Sequence, residues 1–269
     1  MNRLRALDEL LLTPIARGWR RLFADRPRPH SLTVAACLVV AAAVSVAVWQ
    51  ADRAAPAPDT SVGQSVRVGV TQGSSIPEYA ESSRRRLAGL AAGTGPAAET
   101  YALVSFSGYV APDGLVPILS GLSIAAVYVR VPIAGEQTEI VRVPANRVPV
   151  DVVTGMDEVA ARKRQEAADY ADRLKTVQDA DMTAVYQRGE RMAGAEQAAY
   201  AAHCACAYAA VVRATPMLLA QLAQRANVRI VDPAPEVVRL DRAVFLPPLP
   251  EQRDRATPVE GTPAAGADR

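Results

Sequence analysis

Histidine and cysteine are scarce in this chain of 269 residues, which contains two His and three Cys. Metal sites built from imidazole and thiolate ligands, and catalysis that depends on histidine, therefore have few possible positions. Aromatic residues make up only 5% of the chain although half of it is hydrophobic, so small aliphatic side chains carry most of the apolar character. The net charge of +2 lacks the basic excess typical of nucleic-acid-binding proteins, and we expect no nucleic-acid partner.

A long uncharged apolar run lies near the amino terminus, from Leu32 to Trp49. As an α-helix it would measure about 27 Å, close to the hydrocarbon thickness of a bilayer. The letters VAAC ending at Cys37 resemble a lipoprotein cleavage box, but most of the run follows this cysteine, whereas a lipidated cysteine ends the apolar region. A cleaved signal peptide is also disfavoured, because about thirty residues precede the run and its core exceeds the usual length of about 7–15 residues. We predict an uncleaved transmembrane signal anchor at residues 31–50, with Cys37 as a membrane-buried thiol.

The charges that flank this run predict its orientation. Arginine is abundant before the run, at Arg3, Arg5, Arg17, Arg20, Arg21, Arg26 and Arg28. The positive-inside rule therefore places residues 1–30 in the cytoplasm and the remainder of the chain outside. Residues 1–30 form a basic stub, either an amphipathic helix lying on anionic lipid or a flank that fixes topology. The expected location is the plasma membrane, crossed once, with an extracytoplasmic carboxy-terminal domain.

Composition divides the outer part of the chain into three segments. Residues 51–63 contain proline, alanine and glycine without periodicity, and we predict a linker there. Residues 251–269 are polar and rich in proline and glycine, and we predict a disordered tail. Residues 64–250 lie between them and are predicted to form one extracytoplasmic domain of the α/β class.

Strand and helix patterns alternate through this predicted domain. Strands are expected at residues 66–70, 101–106, 124–131, 139–143, 207–213 and 228–231, and helices at 76–90, 110–119 and 216–225. Two strand–helix–strand units begin near Tyr101 and Tyr208, and because each ends in proline they are candidates for an internal repeat. The alternation predicts a mixed or parallel sheet with flanking helices.

Residues 155–200 differ in composition from the rest of the domain: they are rich in Ala, Glu, Gln, Arg and Lys and contain no proline. They predict one long charged helix, or two helices with a break near residues 179–183. A narrow apolar stripe marks this segment, at Tyr170, Leu174, Val177 and Val185. Such a stripe usually packs on a domain; a protruding hairpin or a coiled coil is the alternative, disfavoured because the heptad is not clean.

The cluster of His203, Cys204 and Cys206 offers three soft ligands within four residues. It admits three interpretations: thiols that fill a core strand, a disulfide, or a copper(I) or zinc site. No distant His or Cys completes a closed zinc site, and small apolar residues surround the cluster. We therefore expect structural thiols, no bound metal and no cofactor.

Catalytic patterns are weak, and we assign no catalytic residue. The serines of the SFSG sequence at residues 105–108 lack the preceding glycine of a nucleophile elbow. The layout of a cytoplasmic stub, a single span and an outer α/β domain resembles that of bacterial division and envelope proteins, a likeness that does not by itself give a function. We predict a non-catalytic binding or scaffold protein of the bacterial cell envelope, whose long helix contacts an envelope protein partner. An envelope-modifying enzyme and a transmembrane signalling protein are the alternatives, and a homo-oligomer is left open.

Overall fold

The computed structural model describes residues 65–93 and 98–257. The predicted stub, anchor and linker, including Cys37, and the tail beyond Thr257 lie outside these residues. Within the described part, no helix is long and apolar enough to cross a membrane. Sheets and helices alternate along it, so the predicted α/β class is confirmed.

The strands are β1 (Val66–Gly69), β2 (Thr100–Val110), β3 (Ser123–Val129), β4 (Val141–Pro144), β5 (Ala207–Ala214), β6 (Val228–Ala234) and β7 (Ala243–Leu246). The helices are α1 (Ile76–Ala91), α2 (Leu115–Leu119), α3 (Val150–Leu174), α4 (Ala180–Ala201) and α5 (Pro216–Leu222). Short 3-10 helices span Pro112–Gly114 and Leu240–Arg242. Each predicted strand and helix is present, and β7 is an additional strand.

The main sheet has five strands in the order β4-β3-β5-β2-β6, and every neighbouring pair in it is antiparallel. The predicted mixed or parallel arrangement of this sheet is therefore wrong. The two strand–helix–strand units exist, as β2-α2-β3 and β5-α5-β6, but they interleave. Because a strand of one unit lies between the two strands of the other, no parallel neighbours remain; this is the split β-α-β connectivity of ferredoxin-like folds. The described residues do contain one parallel pair, β1 with β7, which forms a separate small sheet.

The main sheet separates two layers of packed side chains. Helices α2, α3 and α5 cover one face, where Phe106, Met156 and Leu219 are buried. The β1–β7 pair and the segment after it cover the other face, where Tyr208 and Phe245 are buried. Burying each such large side chain contributes roughly 1.5–3 kcal/mol. The central strand β5 contributes to both layers, and this accounts for its almost continuous apolar sequence.

The segment rich in charged residues is a helical hairpin rather than one long helix. Helix α3 begins at Val150, earlier than expected, and α4 begins after Asp179, whose carboxylate caps it by accepting from the Met182 amide at 2.8 Å. The alternative of two helices with a break near residues 179–183 is therefore the correct one. The physical reason is that an aspartate N-cap satisfies helix-starting amides only where the chain leaves helical geometry.

Only the base of this hairpin packs on the domain. The buried residues of α3 lie between Val152 and Lys163, and those of α4 between Ala193 and Tyr200. Beyond Lys163, α3 continues for roughly 15 Å alongside α4 without any buried residue. The expectation that the apolar stripe packs on the domain is wrong for this distal part. The Tyr170 ring lies against Tyr186 of α4, with 6.2 Å between ring centroids, and Val185 is exposed.

The ordered chain extends past the predicted boundary at residue 250. The amide of Gly73 donates to the Ala256 carbonyl at 2.8 Å, and the Ala256 amide donates to the Ser74 carbonyl at 3.0 Å. Ala256 is buried, and Arg255 donates to the Gly73 carbonyl at 2.9 Å. The prediction of disorder is therefore wrong for residues 251–257, because these hydrogen bonds hold them against the loop before α1.

Candidate functional site

A buried lysine joins the two helices at the base of the hairpin. The Lys163 Nζ atom lies 2.8 Å from Glu196, 2.9 Å from Glu139 and 2.9 Å from Glu166. Lys163 and Glu196 are almost fully buried, whereas Glu139 and Glu166 are partly exposed. Arg162 adds a bidentate pair to Glu139, with N–O distances of 2.8 and 3.0 Å. Helix α3, helix α4 and the loop before β4 are thus joined by one ionic network.

Electrostatic contacts keep Lys163 and Glu139 ionised. Burial alone would lower the pKa of Lys163, but hydrogen bonds from its ammonium to Glu196, Glu166 and Glu139 outweigh burial and raise that pKa above the ordinary lysine value. The hydrogen bond from Arg162 lowers the pKa of Glu139. Lys163 and Glu139 therefore remain charged at neutral pH, so they supply neither a neutral amine nor a protonated acid for proton transfer. The cluster favours a role in fixing geometry.

A groove of about 720 Å³ opens above this network, between the hairpin and residues 136–139. Its floor contains the Lys163 cluster, and its walls continue outward along both helices. The groove-lining residues on the helices include Tyr170, Val185, Arg188, Gly189 and Met192. The groove therefore runs from a charged base toward the apolar distal half of the hairpin.

An apolar stripe runs along α4, and three of its members, Val185, Gly189 and Met192, line this groove. Met182, Val185, Gly189 and Met192 follow one another at spacings of three and four residues, which places them on one face of a helix. Met182 and Val185 are exposed, at 40% and 57% of their maximal surface. Gly189 lies against the ring of Tyr170, because a Cβ atom placed there would meet the ring at 2.6 Å. Close approach of the helices leaves Val185 and Met182 beside the contact and facing solvent.

The charged lining of the groove is mostly acidic. Glu136, Glu139, Glu166 and Glu196 line it together with two cations, Lys163 and Arg188. Arg188 also pairs with Glu136, which attaches residues 136–139 to α4. An occupant that carries a cation near the base of the groove and apolar groups toward the tip would match both its charge and its surface.

The structure places His203, Cys204 and Cys206 in the turn between α4 and β5, away from this groove. Cys204 and Cys206 form a disulfide with a Cα–Cα distance of 5.3 Å, so the expectation of free thiols is wrong, although Cys206 is fully buried in the core. His203 is partly exposed and its Nε2 atom lies 2.9 Å from Asp157 Oδ1. The backbone of His203 has a positive φ of 50°, which turns the chain from the helix toward the strand. Cys206 precedes the strand instead of belonging to it, so its side chain turns back to meet Cys204.

The described part of the chain contains no arranged set of metal ligands. Across residues 65–93 and 98–257, no group of three or more His, Cys, Asp and Glu side chains is placed to hold a metal ion. Both sulfur atoms of the predicted cluster are engaged in the disulfide, whereas a metal needs thiolates. His203 and Asp157 form a pair at the surface that joins α3 to the turn.

Some of the groove residues carry a signal in the sequence and others do not. The spacing from Met182 to Met192 is a helical stripe that can be recognised from sequence, although only Val185 was placed on a stripe there. In the sequence, Lys163 is one of many charged residues in a predicted helix. Its burial follows only from the tertiary placement of Glu139 and Glu196. Comparison with protein-family models, with curated proteins and with solved structures finds no match.

Proposed function

We propose that this chain is a membrane-anchored, non-catalytic binding protein of the bacterial cell envelope, and that its hairpin groove captures an amphipathic helix of a partner protein. The apolar run at residues 31–50 and the arginines before it support the membrane location and the orientation. The groove between α3 and α4 supports the binding role. The two parts of the proposal are tested separately.

The exposed stripe on the distal half of α4 is the observation that carries the binding role. Val185 and Met182 remain in water on a part of the hairpin that contributes nothing to the domain core. Placing large apolar side chains there brings little to the stability of the fold, whereas a partner that covers them gains their burial. Helical partners commonly bind in this way, through apolar anchors repeating at three- and four-residue spacing.

The chemistry of the groove narrows the partner to one kind of helix. Its apolar anchors would contact Val185 and Met192, and a lysine or arginine at the end nearest the domain would face Glu139 and Glu166. These two carboxylates are partly exposed and therefore accessible to an added cation. An acidic helix would place its carboxylates beside Glu139 and Glu166, and this repulsion excludes acidic helices as partners.

Site-specific photocrosslinking in native membranes tests the binding role. A photoreactive side chain at Val185 should give a discrete crosslinked product, whereas the same group at Gln187 on the opposite side of α4 should not. Mass spectrometry of the product should locate the attachment on a segment with an apolar helical stripe and a basic residue. Val185→Glu should remove the interaction while leaving the helical circular dichroism spectrum unchanged, since the side chain is exposed.

The proposal fails if Val185 and Gln187 give the same products, or if the Val185 product is absent. Attachment to a second copy of this chain would show that the groove mediates self-association and does not bind a partner helix. Attachment to a segment without helical periodicity would overturn the stated partner chemistry. Gln187→Glu is the matched control for Val185→Glu, because it adds the same charge on the opposite side of α4.

Reporter fusions test the location. A reporter that is active only outside the cytoplasm should work when fused after Arg269 and fail when fused before Arg3. The reverse pattern would overturn the orientation. Cys37→Ser should leave membrane attachment and apparent mass unchanged; release of the protein or loss of lipid labelling would show that Cys37 carries a lipid.

A further inference from the structure

A second cavity of about 330 Å³ lies between the main sheet and the small β1–β7 sheet. Apolar side chains form much of its wall, among them Val70, Ile140, Phe245 and Leu249. Half of its lining residues are polar: Arg130, Tyr208, Gln72, Gln137, Thr138, Gln252 and Thr257. Its volume is near the lower end of the range of about 300–1,000 Å³ found for small-molecule sites. Small-molecule sites combine apolar walls with polar groups that orient the ligand, and both kinds of residue are present here.

The buried arginine of this cavity already holds a carboxylate, through contacts with Tyr109 and Glu251 that lie outside the residues lining the cavity. Arg130 is 2% exposed; its Nη1 atom donates to the Tyr109 hydroxyl at 2.8 Å and to Glu251, and its Nη2 atom donates to the Glu136 carbonyl at 3.0 Å. The Tyr109 hydroxyl in turn donates to the two Glu251 oxygens at 3.0 and 3.2 Å. Burial raises the pKa of Tyr109 to about 12, so its hydroxyl keeps its proton at neutral pH.

Glu251 is the replaceable member of this set. Its side chain is 41% exposed, in contrast to the buried guanidinium that it neutralises. It belongs to the segment after β7, whereas Arg130 and Tyr109 come from the main sheet and its loops. A carboxylate from another source could therefore take its place from the solvent side without disturbing the sheet.

The hydroxyl of Tyr208 is a second, independent indication of a ligand. It is buried and has no hydrogen-bond partner within the described residues. Its ring packs edge-on against Tyr109 and Tyr128, with centroid distances of 6.1 and 6.5 Å, so the side chain is held in place. Buried hydroxyls are nearly always paired, because an unpaired one costs about 1–3 kcal/mol.

We propose that this cavity binds a small aliphatic carboxylate. The ligand carboxylate replaces Glu251 on Arg130 and Tyr109, and the Tyr208 hydroxyl donates to a ligand oxygen. The aliphatic body lies against Phe245 and Leu249. The residues that recognise the ligand lie outside the hairpin groove, so the inference does not depend on the proposed partner helix.

Calorimetric titration of the full chain in nonionic detergent tests the inference, with butanoate, hexanoate and octanoate as probes and empty micelles as the reference. Affinity should rise roughly fourfold per added methylene until the cavity is filled. The matched alcohols should bind at least tenfold more weakly, since they cannot form the charged pair. Glu251→Gln should strengthen hexanoate binding several-fold, because it removes the competing carboxylate and keeps a side chain of the same shape.

Two further variants separate recognition from folding. Tyr109→Phe should weaken hexanoate binding by removing one carboxylate donor. Tyr208→Phe should also weaken binding but leave the folded protein as stable as before or more so, because the hydroxyl has no partner in the described part to lose. Glu158→Gln, on an exposed position of α3, is the control and should bind hexanoate as the unmodified chain does.

The inference is overturned if hexanoate fails to bind both the unmodified chain and the Glu251→Gln variant. It is equally overturned if binding is the same in all variants, which would indicate adventitious contact with an apolar surface. Equal affinity for hexanoate and hexanol would show that Arg130 does not pair with the ligand carboxylate. None of these outcomes changes the result of crosslinking at Val185.

Discussion

Lys163 and Glu196 form an ion pair between α3 and α4 in which the Nζ–Oε2 distance is 2.8 Å and each side chain is only 5% exposed. The second oxygen of Glu196 accepts from the Glu139 amide at 3.0 Å, so the pair also holds the loop before β4. A buried pair of this kind adds little net stability compared with apolar residues, but losing one partner leaves an uncompensated charge. The pair joins α3, α4 and the loop before β4 at the base of the hairpin.

Lys163→Met should therefore lower the free energy of unfolding by about 3 kcal/mol or more, because Glu196 is left buried without a cation. The double variant Lys163→Met with Glu196→Gln should recover much of this loss, since the amide is neutral and still accepts from Glu139. Urea unfolding followed by circular dichroism measures both. Lys175→Met is the control: Lys175 pairs with Asp172 at 2.6 Å in full exposure, and no change is expected. Equal effects of the two lysine variants would contradict the importance of burial.

Gly155 sets how closely α3 approaches the sheet. A Cβ atom there would lie 2.3 Å from Cγ1 of Val143 on β4, and both residues are buried. Gly155→Ala should lower the free energy of unfolding by about 1–2 kcal/mol, because overpacking exceeds the gain in helix propensity. Adding Val143→Ala to this variant should restore part of the lost free energy of unfolding. Gly194→Ala on α4, where a new Cβ meets nothing within 4 Å, should instead stabilise the protein by about 0.5–1 kcal/mol.

Asp232 makes stability depend on pH in an identifiable direction. Burial raises the pKa of its carboxyl above the ordinary value, although the hydrogen bond from Tyr79 and the charge of Arg86 lower it in part. A raised pKa in the folded state means that the contribution of this group is greatest below the ordinary aspartate pKa of about 4 and is lost as pH rises through the raised value. The free energy of unfolding of the unmodified chain, minus that of Asp232→Asn, should therefore increase as pH falls through this window. A difference that is flat or of opposite sign would contradict it.

The disulfide between Cys204 and Cys206 closes a very small loop. The loop-entropy argument gives only about 1.5 kcal/mol for so short a closure. Cys204→Ala with Cys206→Ala should therefore lower the free energy of unfolding by about 1–2 kcal/mol and leave crosslinking through Val185 unchanged. Elemental analysis of the purified chain tests the metal alternative, because one copper or zinc per chain, lost in this double variant, would show that the thiols bind metal.

The sequence predicted the elements better than their arrangement. Strand β5 and helix α5 were expected almost at their observed positions, because the helix start at Pro216 and the apolar run before it are local signals. The interleaving of the two strand–helix–strand units depends on which strands pair, and no local pattern encodes that choice. Strand β6 also continues through Pro233, which was expected to end it. It lies at the edge of the sheet and pairs only with β2, where a proline is tolerated.

Site residues were predictable only where a helix repeats them. The apolar stripe around Val185 was visible in the sequence, although its exposure was not, since exposure depends on how far the hairpin extends from the domain. Arg130 was hidden within the strand pattern as a single charge in an apolar run. Its partner Glu251 lies 121 positions away, in a segment whose composition suggested disorder. Composition reports average polarity and does not detect a single carboxylate that pairs with a buried cation.

The loop that contains Gln137 and Thr138 contributes to both proposed sites. Gln137 and Thr138 line the hairpin groove and the carboxylate cavity, and the Glu136 carbonyl is held by Arg130 while its side chain pairs with Arg188. Two occupants that contact the same short loop have linked affinities whenever they favour different positions of that loop. Thermodynamic linkage then requires that a small carboxylate change the affinity for a helix by the same factor by which the helix changes the affinity for the carboxylate. With both proposed sites occupied, the affinity for the helix would then report the concentration of the small carboxylate.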